Sequence, residues 1–141
     1  AEWLPMNRAF IDTSAILRLL VQDDELKAKA VENLIRTAPE QGLVLDVMPV
    51  TILEIVWVLE KVYKYSKKDV RELAEAIINT PQLKVESTGV FLNALQVYEE
   101  KNVKFADAVM AFWAMDEGVT TAYTYDEKDF KRIDGLTVLK P

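Results

Sequence analysis

A chain of 141 residues, half of them apolar, can bury one hydrophobic core and is short for two, so a single domain over residues 1–141 is predicted. Neither cysteine nor histidine occurs, which excludes disulfides, thiol nucleophiles, Ser-His triads, imidazole acid–base work and the usual structural zinc sites. The formal charge of −6 weighs against a surface made throughout for polyanions, although a site built of carboxylates contributes its own negatives and bound divalent metal reverses the local sign.

No apolar run reaches the roughly 18–20 residues of a membrane span. Residues 1–10 lack the basic start and long apolar stretch of a signal peptide. A cytoplasmic protein without membrane association is therefore expected. Met6 is a candidate natural start, with residues 1–7 read as an extension of the domain.

In chain order, residues 8–12 (RAFID) read as a short strand ending on Asp12. Residues 13–21 (TSAILRLLV) follow as a helix, with Ala15, Ile16, Leu19 and Leu20 at helical spacing. A second helix spans about 24–37, with Asp23, Asp24 and Glu25 near its positive N-terminus. Pro39 and Gly42 mark a turn, 43–49 a strand and about 52–65 a helix. Ser66 and Asp69 are spaced like a capping box that opens a helix to about 79. A short strand at 83–86 leads to helices at about 90–101 and 105–117, the latter stopped by Gly118. A strand at 120–125, a helical turn over 127–133 and a last strand at 136–140 complete the chain. Strands separated by helices imply a mainly parallel sheet covered on both faces.

Four carboxylates stand out by position. Asp12 closes an apolar strand ahead of a helix, at the carboxyl end where ligands gather in open α/β sheets; an N-cap is the structural alternative. Glu54 is the one charge between Pro49 and Leu59, and a carboxylate buried there needs a partner or a metal. Thr51 and Glu54 also match a T-x-x-E capping box. Asp107 is the one charge in FADAVMAFWAM (105–115), a helix apolar enough to be buried nearly all round; its alternative is a first-turn aspartate facing the helix dipole. Asp126 follows the strand TTAYTY, where a turn or cap explains it as well, and Asp129 competes for either role.

Together the four say more. Two lie at strand ends and two near the starts of apolar helices, places that fall along one edge of a parallel sheet. Carboxylates meeting there repel one another unless cations are bound. Oxygen-only ligands suit Mg²⁺ or Mn²⁺, ions that activate water and stabilise the charge of an in-line phosphate displacement.

FIDTSAILRLL, the segment VTILEIVWVLE around Glu54, FADAVMAFWA and the tail TYDEKDFKRIDGLTVLKP resemble, in order and spacing, the PIN domain over residues 9–140. Within that family the likeness is to the VapC-type toxins of prokaryotic toxin–antitoxin pairs. The resemblance implies a three-layer α/β/α sandwich around a mainly parallel sheet of about four to five strands. It implies a Mg²⁺- or Mn²⁺-dependent endoribonuclease whose catalytic and metal-binding residues are Asp12, Glu54, Asp107 and Asp126. Hydroxyls that the family places beside the first and last aspartates correspond to Thr13 or Ser14 and to Thr124, helpers that orient a carboxylate or a water. Asp129 is then a peripheral supporting residue. An RNA substrate, a homodimer and a small inhibitory antitoxin protein are implied as well. A PIN-fold RNA-processing nuclease and a PIN-fold protein that binds without cutting stay open as alternatives.

Ile16, Leu17, Leu20, Ile55, Trp57, Val58, Leu59 and Val62 add apolar surface that points to a dimer interface and a separate apolar groove for the inhibitory protein. Filling the core between helix layers is the other use for them. Lys64, Lys67, Lys68 and Arg71 form a basic cluster at a helix junction, read as a solvated face.

Overall fold

In the computed structural model, residues 7–141 are described. The reading of 1–7 as an extension lies outside them, except that Asn7 already opens the first strand, β1 (Asn7–Phe10). Ile11 continues the pairing, its amide donating to the Asp46 carbonyl at 3.0 Å. Helix α1 (Thr13–Val21) is capped by Asp12 and stops at Gln22 in the left-handed region. Helix α2 (Glu25–Thr37) is capped by Asp24 and buries the stripe Ala28, Val31 and Ile35. A 3-10 turn, Pro39–Gln41, ends at Gly42, whose φ of 65° suits a residue without a Cβ. The chain then enters β2 (Leu43–Val47).

Helix α3 (Pro49–Lys61) begins ahead of the predicted start near 52. Pro49 sits in its first turn, where a fixed φ helps and the missing N–H costs nothing. Ser66 caps α4 (Lys67–Ile78) through the Asp69 amide at 3.1 Å, as the spacing predicts. Strand β3 (Leu83–Val85), helices α5 (Thr88–Glu100) and α6 (Phe105–Asp116), strand β4 (Thr121–Tyr123), the short helix α7 (Glu127–Phe130) and strand β5 (Thr137–Leu139) complete the order. None of the described helices is long and apolar enough to cross a membrane.

The class is α/β and all the described strand pairing is parallel. Phe10 lies opposite Asp46 in β1–β2, Asp46 opposite Lys84 in β2–β3, and Thr121 opposite Thr137 in β4–β5. The five parallel strands expected are present and divide in two: β1-β2-β3 form one sheet and β4-β5 a separate pair. Strands of three or four residues make few ladder bonds, and right-handed twist separates them quickly. On β2, Leu45 and Val47 are buried on one face, while on the other Asp46 accepts a two-point hydrogen bond from the Arg8 guanidinium at 3.0 and 2.7 Å.

The core joins Ile16, Ile52, Ile55 and Leu59 to Phe91, Leu95 and Tyr98, with Phe91 edge-on to Trp113 and Tyr98 edge-on to Phe105, both at 5.9 Å. Three of the residues read as surplus, Ile16, Ile55 and Leu59, are thus core, whereas Trp57 and Val62 are each 59% exposed. Nor is α6 buried all round, since Met110 is exposed on it. The basic cluster is less free than a solvated face: Arg71 pairs with Glu75, Glu99 and Glu100, and Lys67 pairs with Glu60.

Glu60 ties three helices together. The buried Tyr98 hydroxyl of α5 donates to it, Lys67 of α4 lies 3.3 Å away and 4.0 Å from the Tyr98 ring centroid, and Lys61 is at 2.9 Å. Burial alone would raise its carboxyl, but hydrogen bonds from Lys61 and Tyr98 and the charge of Lys67 bring it down to about 2. A folded-state value below the ordinary 4.5 means this stabilisation is complete above that pH and is lost as pH falls toward 2. In urea unfolding, the stability gap between wild type and Glu60→Gln is expected to narrow by up to about 3 kcal/mol on going from neutral pH to pH 2. A gap that ignores pH would show that Glu60 carries no such linkage.

Candidate active site

Asp12 stands just past β1 in extended conformation, exposed, and serves as the N-cap of α1. Its Oδ1 accepts from the Ala15 amide at 3.2 Å and from the Ser14 hydroxyl at 2.8 Å; Oδ2 accepts nothing among the described residues. The capping alternative is therefore true of Asp12, and it leaves one carboxylate oxygen for other work.

Glu54 departs from expectation. It is exposed on α3, so no burial penalty demands a partner. The capping box with Thr51 does not form either, because the helix is already under way and Thr51 is buried in its first turn. What holds Glu54 is Thr13, whose hydroxyl donates to Oε1 at 2.9 Å. The residue next to Asp12 thus orients the carboxylate of another helix.

A second acidic group forms where α6 meets α7. Asp107, in the first turn of α6, is half-buried. Burial pushes its carboxyl up, the charge and hydrogen bond of Asp129 push it further, Lys104 opposes, and Asp126 adds to the rise. Asp129 is 6% exposed, and its Oδ2 accepts from the Lys104 backbone amide at 3.1 Å. Lys104 is the N-cap of α6 and makes no side-chain cap of its own. Asp129 therefore supplies the anion at the positive end of that helix.

The expectation of a peripheral Asp129 is corrected. Asp126 is the outer member, with a side chain 64% exposed and Oδ2 at 3.7 Å from Lys104 Nζ. Phe130 and Ile133 are buried and draw the α7 turn inward, which carries Asp129 with them. The Thr124 hydroxyl accepts from the Asp126 amide at 2.9 Å. Ser14 and Thr13 do orient carboxylates, those of Asp12 and Glu54.

The acidic residues thus stand as two sets, Asp12 with Glu54 around Thr13, and Asp107 with Asp129 and Asp126. Among the described residues no three carboxylates come close enough to hold an ion by themselves. Glu54 and Asp129 nonetheless line one groove of about 830 Å³, together with Trp57, Lys104 and Lys128. None of these last three was read in the sequence as a site residue. Trp57 was counted as apolar surplus, and an isolated lysine carries no signal until the fold supplies its neighbours.

The PIN domain model matches residues 9–136 of this chain. The sequence is also similar to a protein of Aquifex aeolicus (strain VF5) named VapC ribonuclease, at 27% identity over 91% of this chain and 93% of that protein. No solved structure matches.

Proposed function

On the premise that this chain belongs to the PIN domain family, we propose that it is a divalent-metal-dependent endoribonuclease that hydrolyses RNA phosphodiester bonds, acting as the toxin of a toxin–antitoxin pair. The observation that carries this reading is the half-buried Asp107 set against buried Asp129, beside a groove that also holds Glu54. Two carboxyl groups held together under burial are an arrangement that a cation relieves. The similarity to a VapC ribonuclease supports the toxin branch over an RNA-processing nuclease. A PIN-fold protein that only binds has no use for the opposed carboxylates.

The donor set fits Mg²⁺ or Mn²⁺. All the donors are hard oxygens in a chain without cysteine or histidine, and such ions keep several waters and bind through few carboxylates. Asp12, Glu54, Asp107 and Asp129 would hold the hydrated metal jointly, directly or through its waters, with Asp126 as the outer carboxylate. When bound, the metal supplies water activation and charge stabilisation for in-line displacement at phosphorus.

The chain's own residues prepare the site. Ser14 and the Ala15 amide fix Asp12, Thr13 fixes Glu54, and the Lys104 amide fixes Asp129, so three carboxylates are oriented before any substrate arrives. The Lys104 ammonium beside Asp126 offers a cation to an incoming phosphate.

A cytoplasmic location, a small antitoxin partner and a homodimer belong to the same reading. Exposed Phe10, Met110, Tyr123 and Tyr125 support an apolar contact between copies. Sedimentation at micromolar concentration is expected to give twice the chain mass of 16.1 kDa; a clean monomer would remove the homodimer and leave the nuclease.

Cleavage decides the rest. Asp12→Asn keeps a good N-cap, since asparagine caps as well as aspartate, and removes an anionic ligand. In Mg²⁺ or Mn²⁺, Asp12→Asn and Asp129→Asn are each expected to slow RNA cleavage on the order of a hundredfold or more with melting temperatures close to wild type, and Asp126→Asn much less. Wild type without metal-dependent cleavage, or wild-type rates in the first two variants, would overturn the proposal.

A further inference from the structure

The groove that holds Glu54 and Asp129 continues along α3 away from the acidic residues. Val50, Glu54, Trp57 and Lys61 recur at helical spacing and make one exposed stripe of that helix, all four lining the groove. Trp57 is 59% exposed although it is a large aromatic residue. From the start of α6 and from α7, Lys104 and Lys128 line the same groove.

Charge identifies the occupant. The chain carries −6, yet four lysines line this groove against three carboxylates, Glu54, Glu60 and Asp129. Glu60 is already engaged by Lys61, Lys67 and Tyr98. Lys128 makes no ion pair among the described residues. An exposed indole bordered by cations, running from a carboxylate, has the composition of a single-stranded nucleic-acid track, where bases stack on aromatic faces and phosphates meet lysines. An apolar segment of a protein partner would use the indole but leave Lys128, which has no ion pair among the described residues, without a counterpart.

We propose that this groove binds an unpaired segment of RNA, with Trp57 stacking on one base and Lys128 meeting a flanking phosphate. Duplex RNA hides its base faces in the stack and cannot use Trp57, so the groove selects single strands. The inference rests on the ribonuclease reading for its substrate class, and it assigns Trp57 a positioning role, outside the chemistry.

The test measures binding apart from cleavage. A fluorescein-labelled single-stranded RNA ten-mer of mixed sequence is titrated in EDTA with wild type, Trp57→Ala, Trp57→Phe and Lys128→Ala, each checked by circular dichroism. Trp57→Ala is expected to weaken binding on the order of tenfold or more, with most of the affinity kept in Trp57→Phe. Lys128→Ala is expected to lower the salt slope of binding by roughly 0.7, the value for one phosphate contact on a single strand. A duplex of the same length should bind clearly more weakly than the single strand. Unchanged affinity in Trp57→Ala, equal losses in Trp57→Ala and Trp57→Phe, or equal binding of duplex would each overturn the assignment. So would a Trp57→Ala variant that keeps RNA but loses a small protein inhibitor, which would give the groove to that partner. With Mg²⁺ added, Trp57→Ala is expected to raise KM and leave kcat nearly unchanged. Trp57-dependent binding in a wild type that does not cleave would sink the ribonuclease reading alone; cleavage with Trp57-independent binding would sink the groove alone.

Discussion

Two carboxyl groups that burial would rather separate are held together where α6 meets α7. Asp107 cannot retreat, because it lies in the first turn of a helix whose neighbours Phe105, Ala108 and Val109 are buried. Asp129 cannot retreat either, because Phe130 and Ile133 anchor its turn in the core and the Lys104 amide claims one of its oxygens. The opposition raises the Asp107 carboxyl, burial first and Asp129 second. Its cost is borne by packing elsewhere, as is usual where a fold keeps a site prepared for a ligand.

The other half of the site depends on a hydroxyl. Thr13 follows Asp12 and reaches Glu54 on α3, so the start of α1 and the exposed face of α3 are linked by one bond of 2.9 Å. That bond sets Glu54 on the stripe that continues through Trp57 to Lys61. Beside the stripe, partly buried Glu60 borders the same groove and joins α3 to α4 and α5 through Lys67 and Tyr98. One helix therefore carries an exposed carboxylate for the site and a partly buried, ion-paired one for the fold, six residues apart by number.

Much of this was legible in the sequence, for physical reasons. Helices such as 13–21 announce themselves by apolar spacing and caps, and Ser66 capping through Asp69 is a local event that needs no tertiary context. Asp12 and Asp107 were legible as candidates because each interrupts apolar sequence. The choice between Asp126 and Asp129 was not. Both are short acids in one turn, and only the burial of Phe130 decides which faces inward. Glu54 misled in a different way: apolar neighbours in sequence suggested burial, but a helix puts them on other faces. The split of five short strands into two sheets, and the sharing of one groove by Trp57 and Lys128, depend on tertiary placement that no local pattern encodes.

The central claim is that opposed carboxylates await a cation, and thermal unfolding of wild type and Asp107→Asn with and without metal tests it most directly. In EDTA at neutral pH, Asp107→Asn should melt above wild type, because a group whose carboxyl is raised on folding destabilises the fold when ionised, and the advantage should fade as pH falls and wild type protonates. Millimolar Mg²⁺ or Mn²⁺ should raise the melting temperature of wild type by mass action and that of Asp107→Asn far less. A variant that melts below wild type in EDTA, together with a wild type indifferent to metal, would contradict the account.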